Sequence, residues 1–390
     1  MAHTKEESLI TLWGPISSFY SGKARAYLIK KGLRFCDLNP SHPRYVAEVV
    51  PRIGHFALPV VEFSDGSLIQ DSTEIILHFE GQGLAPALIP ETPLQNAVAW
   101  VLGCFGSEAM WKLGLHYRWT YLEQHRKFIE DAFGRPLSLA RTWAGRQADA
   151  LPLMAQFAGK LTELGVNEST IPGMEVGYEV LLDRMNEHFF HFPYLMGSLP
   201  TLADFGFIAP FFAHLSRDPY PSNHMKLRAP NVFRCTERML EQGFADAEFP
   251  DLMPEFLPGD VVPETTVAVL EVLFQEFSAE FIAMMASFNG WCAAHPHAPA
   301  GTVIQAPNEA GTTHPSTSWI EFDVRGVRHR RRDSVDIVYH LQRVYDVIDA
   351  LDVEARAGFD AIIARTGGRE LMALRPSKRI AYAAFRYVVA

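Results

Sequence analysis

Between residues 9 and 80 the hydrophobic period switches at each Gly, Pro or Asp-Ser break, and the resulting order of segments leaves few folds open. Leu9-Ile10-Thr11-Leu12-Trp13 is a short β-type run ended by Gly14-Pro15. Ser17-Ser18 precede a helical stretch over 20–31, where Tyr20, Ala24, Tyr27 and Leu28 recur at helical spacing and Gly32 supplies the stop. Residues 34–38 predict a second strand, and 42–50 a short helix ending before Pro51. Pro59-Val60-Val61-Glu62-Phe63 is a third strand, Asp65-Gly66 a hairpin turn and Ser67-Leu68-Ile69 the return strand. Asp71-Ser72 then cap a helix over 73–80. The order is β-α-β-α-β-β-α.

At 390 residues the chain exceeds what one core normally supports, so at least two domains are expected. Residues 84–93 hold Pro86, Pro90 and Pro93 and read as a linker. From 95 to about 245 the pattern is helical. Pro250 to Pro263 form a further break, and a helix over 264–291 carries Val267, Leu270, Phe274, Phe277, Phe281, Met284 and Phe288 in one apolar stripe. Such a stripe has to be buried, so this helix is expected to pack on the helical region. Residues 295–317 read as a long loop, Trp319 to Val324 as a strand, and 334–351 as a helix capped by Asp333 with Val338, Leu341, Tyr345 and Ile348 on one face.

Hydrophobic residues are 48% and charged residues 21%, which excludes a disordered chain. The net charge of −10 argues against a nucleic-acid partner, because phosphate neutralisation requires a basic surplus. Cys36, Cys104, Cys235 and Cys292 form no CxxC pair, which excludes a zinc ribbon or dithiol motif and fits a reducing compartment. No apolar run reaches membrane-spanning length and the first ten residues lack a signal-peptide core, so a cytoplasmic protein without a membrane partner is expected.

Four motifs stand in order. Ser17-Ser18-Phe19-Tyr20-Ser21-Gly22-Lys23-Ala24-Arg25 joins the first strand to the first helix; Gly54-His55-Phe56-Ala57-Leu58-Pro59-Val60 opens the third strand with a proline. Gln70-Asp71-Ser72-Thr73-Glu74-Ile75 follows the hairpin, and Gly197-Ser198-Leu199-Pro200-Thr201-Leu202-Ala203-Asp204 lies far downstream. Together they resemble the cytosolic glutathione transferases, covering 9–80 well and 95–245 loosely. The resemblance implies a thioredoxin-like α/β domain over 1–83, a linker over 84–94 and an all-α domain over 95–249. Residues 250–390 would be an extension packed on the helical domain.

The activity so implied is attack of the glutathione thiolate on a small apolar electrophile, with glutathione as co-substrate and no metal. A non-catalytic binding or assembly protein of the same fold is the alternative. A free thiol has a pKa near 8.5, and lowering it by two units needs about 2.7 kcal/mol of preference for the anion. A hydrogen bond to a charged group supplies roughly 1.5–3 kcal/mol and a helix N-terminus about 0.3–1, so one hydroxyl there suffices. The serine-class pattern puts that hydroxyl at Ser18, with Ser17, Tyr20 and Ser21 as alternatives. The resemblance places Leu58 and a cis Pro59 along the glutathione backbone, Asp71 and Ser72 at its γ-glutamyl end and His55 toward its glycine carboxylate. Phe105, Met110, Trp111 and Tyr117 are candidates for the electrophile pocket. It also implies a homodimer, unless residues 250–390 cover the usual dimer face.

Other features read as structural. Thr201 and Asp204 have capping-box spacing. His188 and His191, and His295 and His297, lack the further ligands that a metal site needs. The basic run over 328–332 reads as a solvated outer face.

Overall fold

The computed structural model describes residues 9–305 and 314–390. Strand β1 (Ile10–Trp13) leads into α1 (Phe19–Lys30) and β2 (Phe35–Leu38); α2 (Val50–Ile53), β3 (Val60–Glu62), β4 (Leu68–Gln70) and α3 (Ser72–Glu80) follow. The strands form one sheet in the order β2-β1-β3-β4, with β1 and β2 parallel and the β3 and β4 pairings antiparallel. This is the thioredoxin-like arrangement that the order of segments predicts. Alternation along each strand sends successive side chains to opposite faces. Trp13 and Val60 pack with Tyr45, Val49 and Ile53 on one face. Leu12 and Val61 point the other way and join Tyr27 and Ile75 in the core shared with the helices.

The expected helix over 42–50 is instead a wide π turn, Tyr45–Val49, that runs straight into α2. Pro51 does not stop it, because in the first turn of α2 a proline lacks only an N–H that would go unbonded anyway.

The helical part comprises α4 (Pro93–Cys104), α5 (Trp111–Thr120), α6 (Leu122–Leu137), α7 (Trp143–Glu163), α8 (Ile171–His191), α9 (Leu202–Pro210), α10 (Pro219–Arg228) and α11 (Pro230–Arg238). Thr201 and Asp204 form the expected capping box at the start of α9. His188 is buried, with Thr265 Oγ1 and the Tyr194 carbonyl on its two ring nitrogens.

Helix α12 (Glu264–Ala294) follows, with its apolar stripe buried and lying against α8. A hairpin, β5 (Trp319–Val324) and β6 (Val327–Arg332), precedes α13 (Val335–Asp349), α14 (Val353–Thr366) and α15 (Arg369–Ala373). A second hairpin, β7 (Ile380–Ala383) and β8 (Arg386–Val389), ends the described chain. Helix α13 packs on α4, and one hydrophobic cluster runs from the sheet through α4–α11 to α12–α14.

The basic run is not a uniform outer face. It is β6, and strand alternation splits it. Arg328 and Arg330 face solvent beside Glu321, whereas Arg331 turns inward, buried with Lys112 on the fully buried Glu280 carboxylate. Asp333 does not cap α13, a position held by Ser334. Its carboxylate accepts from Ser287 Oγ at 2.6 Å, Ser316 Oγ at 2.7 Å and the Thr317 amide at 2.7 Å, tying the loop before β5 to α12.

Candidate functional site

The turn from β1 into α1 is set by close packing. A Cβ on Gly14 would lie 2.4 Å from Ser21 Oγ, so only glycine fits there. Arg25 donates to the Gly14 carbonyl at 2.7 Å and pairs with Asp37. From the helical side, the buried Arg118 forks onto Asp218 at 2.7 and 3.0 Å and donates to the Ser17 carbonyl at 3.3 Å. The first helical turn is therefore held from both domains.

Four hydroxyls lie on this turn, and their protons go to different places. Ser17 Oγ donates to the Ala132 carbonyl at 3.1 Å, Tyr20 to Glu108 Oε2 at 3.1 Å and Ser21 Oγ to Ser18 Oγ at 2.8 Å. Ser18, the N-cap residue of α1, accepts from Ser21 and has no side-chain capping bond.

Ser18 opens on a cavity of about 810 Å³ between the sheet and the helices. Leu58, Pro59, Asp71 and Ser72 line the same cavity, and the Leu58–Pro59 bond is cis. Asp71 caps α3, accepting from the Thr73 amide at 2.7 Å and the Glu74 amide at 3.1 Å, and does so with φ of 86°, a left-handed value unusual for a residue with a side chain. Such conformations persist where the surroundings enforce them, commonly at binding sites. Ser72 is buried at the first turn of α3.

The opposite wall carries large apolar side chains, Trp111, Leu115 and Trp119 on α5, Phe133 on α6, and Leu153 and Phe157 on α7, with Arg118, Gln156, Lys160 and Glu163 among them. Trp111 is the one expected pocket residue that reaches it. Phe105 packs on Phe274 and Phe281, Met110 is fully buried, and Tyr117 packs on Tyr121 and Tyr178. None of these three lines the cavity. The reason is geometric. The π turn Phe105–Ala109 inserts extra backbone before α5, and from there the cavity face repeats as 111, 115 and 119, so 110 and 117 face the core. His55 also stands outside the main cavity, in a side crevice with Gln70, Arg386 and Tyr387. Ser21 lies one layer behind Ser18.

The same π turn aims Glu108 into the cavity. Burial, and then the charge of Asp336, push its carboxyl up to about 8. His340 on α13 stands 3.7 Å from Glu108 and 3.8 Å from Asp71, and burial lowers it to about 4. His314 bonds Asp336 at 2.6 Å and stacks on Trp111. Sequence reading missed Glu108, His340 and Tyr387 as cavity residues. The available signal was Glu108 itself, a carboxylate within an apolar helical stretch. Among the described residues no group of three or more His, Cys, Asp or Glu is arranged to hold a metal ion, and no helix is long and apolar enough to cross a membrane.

No protein-family model and no curated protein matches the sequence. Solved structures do. A glutathione S-transferase from Methylobacterium radiotolerans, in complex with glutathione sulfonate, is 23% identical, with a TM-score of 0.34 over 65% of this chain and 100% of that one. A glutathione transferase from Phanerochaete chrysosporium is 17% identical, with a TM-score of 0.40 over 60% and 97%. A maleylpyruvate isomerase from Pseudomonas aeruginosa is also 17% identical, with a TM-score of 0.31 over 64% and 100%.

Proposed function

We propose that the cavity binds glutathione and that the chain is a glutathione transferase, joining the glutathione thiolate to a small apolar electrophile. One observation carries the reading: Ser18 at the start of α1, the Leu58–Pro59 edge and the Asp71–Ser72 start of α3 open on one cavity whose far side carries a group of large apolar side chains. On this reading residues 1–83 are the glutathione-binding domain, 84–94 the linker, 95–249 the helical domain and 250–390 an extension packed on it.

The peptide lies along Leu58, whose backbone pairs with it as an added strand does. Its γ-glutamyl carboxylate sits on the first amides of α3 and Ser72, where the helix N-terminus favours an anion. The γ-glutamyl ammonium meets Asp71. The Ser18 hydroxyl keeps its proton and donates a hydrogen bond to the thiolate. Ser17, Tyr20 and Ser21 have committed theirs elsewhere, which favours Ser18 among the four. Trp111, Leu115, Phe133 and Phe157 hold the electrophile and exclude water from the attacking sulfur.

The test is calorimetric titration with glutathione, the thiolate absorbance near 240 nm of the bound peptide, and turnover of a model aryl halide. Binding with thiolate absorbance and turnover supports the reading. Binding without thiolate absorbance gives the non-catalytic alternative, and absence of binding removes both.

A further inference from the structure

Part of the cavity wall comes from the extension, and it carries a titratable pair that holding the peptide does not use. His314, in the stretch before β5, bonds through Nδ1 to Asp336 Oδ2 at 2.6 Å. Asp336 stands in the first turn of α13, its side chain 5% exposed, and it also accepts from the Ser334 hydroxyl. Burial works against its charge, but the imidazole beside it and the Ser334 hydroxyl hold the carboxyl below its ordinary value, so it is ionised. A carboxylate only accepts, so Nδ1 carries the hydrogen and Nε2 keeps the basic lone pair. His314 is less enclosed, with 28% of its side chain exposed, and both residues line the cavity.

Two ring contacts fix where the imidazole stands. It stacks on Trp111, with centroids 4.9 Å apart and planes 27° apart, and its centroid lies 5.8 Å from that of Tyr20. Trp111 belongs to the wall that faces the electrophile, and Tyr20 to the helical turn that begins at Ser18. The ring therefore sits at the seam between the place of the sulfur and the place of the carbon it attacks. A buried carboxylate orienting an imidazole whose other nitrogen faces the reacting groups is the arrangement of a general base. The thiol hydrogen of the peptide needs such a base. Ser18 stabilises the anion by donating to it, but a hydroxyl is too weak a base to take the hydrogen that leaves first. Glu108 already holds its proton at neutral pH, with burial pushing it up to about 8, and burial lowers His340 to about 4, which makes it a poor base.

We propose that His314, oriented by Asp336, is the general base that takes the thiol proton, so that the extension supplies a catalytic residue. The electron pair of the S–H bond stays on sulfur, the proton passes to Nε2, and the Asp336 carboxylate holds the imidazolium. The sulfur pair then forms the carbon–sulfur bond. With an aryl halide the ring expels halide, and the imidazolium returns its proton to water. The inference rests on the reading that the cavity binds glutathione. His314→Ala in the full chain is expected to melt with the wild type, to keep glutathione affinity within a few-fold and to show less thiolate absorbance at neutral pH. Its turnover of an aryl halide should fall about a hundredfold, the lower end of what a placed base contributes. Free imidazole should restore part of that turnover, which a merely structural role of the ring would not allow. Asp336→Asn keeps the imidazole but removes the charge that holds its protonated form, so it should slow turnover with no gain from imidazole. Full turnover in His314→Ala, a loss that imidazole does not restore, or a fully active Asp336→Asn overturns the base while leaving glutathione binding intact. Failure of the wild-type chain to bind glutathione overturns the functional reading and this base with it.

Discussion

Removing the Glu280 carboxylate should be among the most damaging single changes available in this chain. Glu280 is fully buried in the middle of α12, and it neutralises two cations from other elements, Lys112 on α5 and Arg331 on β6, each about 5% exposed. Lys112 also faces the Phe277 and Phe322 rings. Glu280→Gln leaves two buried cations without their carboxylate, a change that costs about 3–5 kcal/mol. At ~2 °C per kcal/mol for a large domain, Tm should fall by roughly 6–10 °C. Glu264→Gln, which breaks the well-exposed pair with Arg365, is the control and should cost under about 0.5 kcal/mol. The assay is thermal unfolding followed by circular dichroism at pH 7. Replacing all three groups at once, by Lys112→Met, Glu280→Leu and Arg331→Met, should recover most of the loss, because the isosteric apolar trio carries no charge to desolvate. Burial raises the Glu280 carboxyl, but the two cations outweigh it and hold the group below its ordinary 4.5. Its contribution is therefore full above that value and is lost as pH falls through the depressed one. A Glu280→Gln protein that melts with the wild type, or a triple variant no better than the single one, would refute the reasoning.

Ser18→Ala should cut turnover of an aryl halide while leaving glutathione affinity within a few-fold; a fully active Ser18→Ala beside a dead Ser17→Ala would move the thiol to the other serine. Asp71→Ala and Ser72→Ala should each weaken glutathione binding by about 1–3 kcal/mol in calorimetry, and Asp71→Ala should also cost about 1 kcal/mol of stability as a lost helix cap. Glu108, raised to about 8 from 4.5, keeps its proton through neutral pH in the folded chain. The stability linked to that proton is full below the ordinary value and lost as pH rises through 8, so Glu108→Gln should flatten the fall in urea midpoint between about pH 5 and 8. Truncation near Pro258 strips α12 from α8 and should give an insoluble or much less heat-stable protein; a soluble, equally stable fragment would contradict the packing seen here.

Where the fold could be read in advance, a local rule was strong enough to act alone. Asp65-Gly66 permits little but a tight turn, Thr201 and Asp204 satisfy each other across one helical turn, and the stripe on α12 has to be buried. The misreadings share a different cause. Phe105, Met110 and Tyr117 are large, apolar and helical, which predicts burial but not whether the neighbour is core or cavity; a π turn no periodicity announces decides it. The run 328–332 looked like a solvated charge patch because its alternation was hidden among like charges, and only the register with β5 shows that Arg331 turns inward. His340, Tyr387 and Arg386 join the cavity and its side crevice through contacts hundreds of residues long, which no window along the chain can see.

The way the second hairpin closes over the thioredoxin-like domain also orders events during synthesis. Ser18 and the Leu58–Pro59 edge leave the ribosome early, and a domain of that size can fold as soon as it clears the tunnel. Tyr387, which lines the same cavity, is translated only after the entire helical part and α12–α15. A nascent chain therefore displays an incomplete pocket for most of its time on the ribosome, and a stop that falls before Tyr387 removes the last side chain to join the cavity.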